Sequence, residues 1–127
     1  MKKNATVGWR IAAAAMILMG LAAISGCRSR HIDATIENHT GGGITLLEVD
    51  YPTASFGADM LAADSVMRYR IQTRGSGPIS VQYTAPDGHA AQIKGPDLYE
   101  GQEGRIEIVL LPNGKAEFHP VLHPQHS

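Results

Sequence analysis

From His31 onward the chain repeats one pattern. Short runs alternate apolar and polar residues, and each run closes on a turn signal within about ten residues. A period of two places successive side chains on opposite faces of an extended strand, so the pattern specifies half-buried strands rather than amphipathic helices. Ile32, Ala34 and Ile36 form the first apolar face, and the glycines of 38–43 form the turn that follows. Ile44 to Tyr51 is a second strand with Leu47, Val49 and Tyr51 inward, ended by Pro52. Phe56, Ala58 and Met60 mark a short third strand. Met67, Tyr69 and Ile71, set against Arg68, Arg70 and Gln72, mark a fourth, although the Ala and Met content of 54–74 would also suit a helix.

After the break at Gly75-Ser76-Gly77-Pro78, Ile79, Val81 and Tyr83 alternate. Pro86-Asp87-Gly88 is a tight-turn signal, and His89 to Lys94 returns as the second arm of a hairpin. Residues 95–104 read as a loop crossing between sheets. Arg105 to Leu111 is apolar on both faces, as a central strand should be. Pro112-Asn113-Gly114-Lys115 turns it into a last strand, Ala116 to Val121, with Phe118 inward. The expected fold is therefore all-β: an antiparallel β-sandwich of seven or eight strands over 31–122, immunoglobulin-like in architecture, with a small closed barrel as the alternative. The Cys-Trp-Cys signature of antibody domains is absent. Residues 123–127 are expected to form a loose tail.

The first 27 residues follow a different logic. Lys2, Lys3 and Arg10 give a basic start without an acid, and Ile11 to Ile24 are apolar or small throughout. Those fourteen residues would span roughly 21 Å as a helix, short of the roughly 30 Å hydrocarbon core. This suits the h-region of an export signal better than a permanent span. The run ends Ile24-Ser25-Gly26-Cys27, which resembles the lipobox of bacterial lipoproteins: an aliphatic residue, two small residues and a cysteine. The resemblance covers about a fifth of the chain. It implies a signal peptide over 1–26, cleavage between Gly26 and Cys27, and a diacylglycerol on the Cys27 thiol. It also implies attachment to the cell envelope, at the outer membrane in a two-membrane cell because Arg28 is not Asp. Residues 27–30 are then a short tether reaching about 10–14 Å. The remainder resembles small envelope lipoproteins with a sandwich domain, a likeness that carries no functional residues.

Charge and cysteine use narrow the function. Beyond the export segment eight basic residues face twelve acidic ones, a net charge of −4. That argues against nucleic acid as a partner, since phosphate binding needs clustered Lys and Arg. A single cysteine excludes an internal disulfide, and its position assigns it to the anchor rather than to catalysis. Gly75-Ser76-Gly77 lacks the spacing of a nucleophile elbow, and Gly41-Gly42-Gly43 leads into a strand rather than the helix a phosphate loop requires.

The sequence thus points to a lipid-anchored, non-catalytic envelope protein with no cofactor, which touches the membrane through its anchor and binds an envelope protein or glycan. The alternative is an accessory factor that binds metal or another ligand through His119, His123 and His126, where Pro120 and Pro124 interrupt the run. Arg68, Arg70 and Arg74 share a face and form a candidate basic strip, with Glu48 or Asp50 as neutralising partners. Tyr99, in the long loop beside Gly101 and Gly104, is the candidate exposed contact. Tyr51, Tyr69, Tyr83 and Phe118 are expected in the core. His31, His39 and His89 are expected at the surface.

Overall fold

The computed structural model describes residues 30–123. Eight strands follow one another: β1 (Ile32–Asn38), β2 (Ile44–Tyr51), β3 (Ala54–Leu61), β4 (Val66–Ile71), β5 (Gly77–Thr84), β6 (Ala90–Leu98), β7 (Glu103–Leu111) and β8 (Lys115–His123). They form two four-stranded sheets, ordered β4-β1-β7-β8 and β3-β2-β5-β6. The hairpins β2–β3, β5–β6 and β7–β8 each stay within one sheet, whereas the other connections cross between sheets.

One pairing departs from the expected antiparallel sandwich. β1 lies parallel to β7, with Ile32 opposite Gly104 and Asn38 opposite Leu110. β1 and β7 are far apart in sequence, which supplies the long connection a parallel pair requires. The resulting order also differs from the ABED and CFG sheets of constant-type immunoglobulin domains.

The core lies between the sheets. Ile32, Ile36, Ile106, Ile108 and Leu110 close on it from one side, and Ile44, Val49, Ile79, Val81 and Leu98 from the other, all fully buried. Each such side chain contributes roughly 1.5–3 kcal/mol by leaving water.

Strict alternation fails in the β2–β3 hairpin. Ile44 and Leu47 both point inward, while Leu46 takes a left-handed φ of 53° and is 68% exposed. On β3 the inward set passes from Phe56 to Leu61, so Met60, which the alternation puts on the same face as Phe56, lies outside. The two strands switch faces together, and the β2–β5 register absorbs the shift between Thr45 and Glu48. Gly57 makes room for this bulge, because a Cβ there would lie 2.1 Å from the Leu47 carbonyl oxygen.

Three further expectations are corrected. β6 continues through Gly95-Pro96-Asp97-Leu98, so the connection to β7 shrinks to residues 99–102. His123 belongs to β8, opposite Glu103, rather than to a tail. Tyr69 lies on the edge strand β4 and is 45% exposed, its ring stacked on Phe56 at 4.4 Å and 9°.

The topology gives the sandwich two distinct ends. Arg30 and the start of β1 share the base with the end of β4, the start of β7 and the end of β8. The β1–β2, β3–β4, β5–β6 and β7–β8 turns gather at the opposite end. Seven residues of β1 separate the two ends by roughly 23 Å.

Candidate binding site at the turn end

Asn38 builds the turn end. Its fully buried Nδ2 donates to the carbonyl oxygens of Gly42 at 2.8 Å, Leu61 at 3.0 Å and Ala62 at 3.1 Å. Its Oδ1 accepts from the Thr40 backbone N–H at 3.1 Å and the Thr40 hydroxyl at 2.7 Å. One side chain thereby locks the β1–β2 turn to the end of β3. The sequence marked Asn38 only as the start of a turn; its burial arises where the chain crosses between the sheets.

Against this frame lies an open cavity of about 650 Å³ between the β1–β2, β5–β6 and β7–β8 turns. Ala85, Pro86 and Ala91 from one hairpin, with Leu111 and Pro112 from another, supply apolar wall. Asn113 and Gly114 close the β7–β8 turn with left-handed φ values of 67° and 70°, a conformation that Asn and Gly tolerate better than other residues.

Tyr83 lines this cavity from β5 and is 3% exposed. Its hydroxyl is buried and has no hydrogen-bond partner among the described residues. Burial raises the phenol pKa, since the phenolate would lose its hydration. A buried hydroxyl normally finds a partner, so this one is an exception within the core. The expectation that Tyr83 is core holds for its ring but missed its polar end. The sequence signal was a tyrosine at the last inward position of a strand, just before a turn.

Asp87 and His89 stand on the β5–β6 turn at the cavity wall. The Asp87 carboxylate accepts the His89 backbone N–H at 3.0 Å, and its other oxygen lies 3.0 Å from His89 Nδ1. The backbone hydrogen bond from His89 holds the Asp87 carboxyl below its usual value, with the ring adding to the effect. His89 is exposed, as expected, yet it belongs to the cavity together with Asp87.

The residues singled out from sequence lie elsewhere. Gly26, Cys27 and His126 fall outside the described residues. His119 and His123 lie on one face of β8, four residues and about 13 Å apart. His119 Nε2 is 3.2 Å from Glu117 Oε2. Among the described residues no cluster of three His, Cys, Asp or Glu side chains could hold a metal ion.

Arg68 and Arg70 lie on the outer face of β4, where Arg70 Nε is 3.5 Å from Asp33 Oδ1. The neutralising partner is therefore Asp33 on the neighbouring strand, not Glu48 or Asp50, which belong to the other sheet. Arg105 lies across β1 from Arg70, in register with the same Asp33, so the row reads Arg-Asp-Arg rather than as a basic strip. Glu48 instead accepts a hydrogen bond from the Gln82 amide. Arg74 lies beyond β4 and donates to the Gln72 side chain. On the same outer face the Glu37 carboxyl is raised, chiefly by its hydrogen bond with Glu107.

Tyr99 is 58% exposed, as expected of a contact residue, but it is at the base. Its carbonyl accepts from the Thr73 hydroxyl at 2.8 Å, and its N–H donates to Gln102 Oε1 at 2.9 Å. The strand register thus separates Tyr99 from the cavity by the length of the sandwich.

No family model matches the chain, and no curated protein matches it. Its fold is similar to that of the NMR structure of a protein from Eubacterium rectale, with a TM-score of 0.53 over 71% of this chain and 87% of that one. At 13% identity the likeness establishes the two-sheet sandwich and nothing about ligands.

Proposed function

We propose that the protein is a lipid-anchored, non-catalytic binding protein of the bacterial envelope, immunoglobulin-like in broad architecture, which presents the turn end of its sandwich to a ligand. The observation that carries this reading is the separation of the two ends. The chain enters β1 at the base, beside Arg30, and the cavity opens at the other end. A lipid on Cys27 would tether the base, with five residues between it and the second residue of β1. The cavity would then face away from the membrane.

The cavity favours binding over catalysis. Thr40 carries the only aliphatic hydroxyl among its lining residues, and that hydroxyl is engaged with Asn38 Oδ1 and the Gly42 carbonyl. His89 is oriented by Asp87, but no activated nucleophile stands between it and a substrate position. The rigid Asn38 frame and the mixed polar and apolar wall suit recognition.

Fractionation of cells expressing the wild-type chain and Cys27→Ser tests the anchor. Wild type should partition with membranes and carry the mass of a diacylated, cleaved chain. Cys27→Ser should become soluble or stay uncut. Equal mass and equal membrane partition for the two would refute it.

A further inference from the structure

We infer that the turn-end cavity is a site for a neutral, hydroxyl-rich ligand, a short saccharide, whose hydroxyl completes the hydrogen bonding of Tyr83. The inference rests on the binding reading above and specifies its ligand. Tyr83 supplies the first argument: the residue lines the cavity and is 3% exposed, and its hydroxyl, covered from solvent, is without a partner among the described residues. A ligand able both to donate and to accept would relieve that deficit once the side chains covering the hydroxyl shift on binding, and a sugar hydroxyl does both.

Charge supplies the second argument. Among the described residues no Lys or Arg lines the cavity, and Asp87 places a carboxylate on its wall. Phosphate, sulfate and carboxylate ligands would meet the Asp87 carboxylate with no Lys or Arg to pair with, and the one imidazole on the wall, His89, is already engaged by Asp87. The lining amides of Gln92 and Asn113 each offer both donors and an acceptor, which again matches hydroxyls rather than ions. The third argument is shape. Pro86, Leu111 and Pro112 offer C–H surface of the kind that packs against the apolar face of a pyranose ring. The volume of about 650 Å³ lies within the range of about 300–1,000 Å³ usual for small-molecule sites.

The test is an NMR titration of the full chain in zwitterionic micelles, which carry no sugar headgroup. The probes are N,N′-diacetylchitobiose, maltose, glucose 6-phosphate and a neutral acetylated tripeptide. A neutral saccharide should shift the amide signals of 83–92 and 112–114 in a saturable way, and glucose 6-phosphate should bind more weakly than a neutral sugar. Tyr83→Phe should keep the fold, because the hydroxyl has no partner among the described residues, and should weaken binding about five- to tenfold, as the loss of one neutral hydrogen bond does. Ala90→Trp, at the cavity wall, should abolish the shifts while Tyr83 stays in place. No saturable shift with either neutral sugar, a response to the tripeptide alone, or unchanged affinity in Tyr83→Phe would each overturn the inference. The membrane partition of Cys27→Ser reports on the anchor independently, so failure of the saccharide site and failure of the anchoring are told apart.

Discussion

Replacing Tyr83 by Phe should make the protein more stable, not less. Most large-residue changes in a core destabilise, but here the ring is retained and only an unpartnered hydroxyl is removed. Burying such a group without a partner costs about 1–3 kcal/mol, and removing it forfeits only the contacts of one atom. A net gain of about 1 kcal/mol is expected, which for a domain of this size raises Tm by roughly 4–8 °C. Urea denaturation followed by circular dichroism measures it, with the midpoint moving up and the slope unchanged. The difference should also depend on pH. Burial raises the Tyr83 pKa above the unfolded value of 10, so the folded state holds its proton longer than the unfolded state does. Wild-type stability therefore falls as pH rises from about 10 through the folded pKa, and the Phe variant lacks that loss; the gap is constant below pH 10 and widens above it. A Phe variant less stable than wild type by about 0.5 kcal/mol or more would refute the reasoning, because the hydroxyl would then have a partner, such as an ordered water.

Other perturbations probe the frame around the site. Asn38→Ala should cost about 2–4 kcal/mol in urea denaturation, since it strands the buried carbonyl of Leu61 together with the part-buried carbonyls of Gly42 and Ala62; a loss below about 1 kcal/mol would mean water replaces the amide. Gly95→Ala should cost about 1–3 kcal/mol, because a Cβ there would lie 2.6 Å from the Phe118 ring, and Phe118→Leu in the same chain should recover part of the loss; an additive double variant would contradict this. Asp87→Asn should lower thermal stability at neutral pH and make no difference in acid. The Asp87 pKa is lowered from 3.8 by the His89 hydrogen bonds, so its contribution is present above 3.8 and is lost as pH falls through the folded value. A wild-type advantage that persists well below that value would contradict the assignment.

What the sequence made legible follows from what a period of two can encode. The inward sets Ile32-Ala34-Ile36, Ile79-Val81-Tyr83 and Ile106-Ile108-Leu110 are all buried, because each occupies a regular stretch where alternation and face coincide. Alternation cannot register a bulge, and Leu46 shows the consequence: one left-handed residue reverses the faces of two strands and carries Met60 outside. It also says nothing of position within a sheet. Tyr69 has the pattern of a core residue and the exposure of an edge one, because β4 is the edge strand of its sheet among the described residues. The cavity was illegible for a related reason. Its walls come from three turns that are brought together only by the sheet crossings, and its key polar atom sits on a residue whose ring reads correctly as core.

The parallel β1–β7 pair gives the two ends their meaning. In a wholly antiparallel arrangement of these two strands, β7 would run back toward the base, and the β7–β8 turn would open beside the tether. Because β7 runs with β1, Leu110 meets Asn38 at the far end, and the Pro112–Gly114 turn joins the cavity. The same pairing brings β8 back to the base, where His123 lies opposite Glu103 and near the Tyr99 turn. Tyr99, His123 and Arg30 therefore belong to the end that a Cys27 lipid would hold near the headgroups, whereas Tyr83, Asp87 and Asn113 belong to the end that it would leave free. An exposed residue at the base would have to act at the membrane surface, and a ligand reaching from solution would meet the cavity first. With Cys27 lipidated as proposed, the direction of one strand pair would decide which of the two residue sets can serve a soluble ligand, and it would select the turn end.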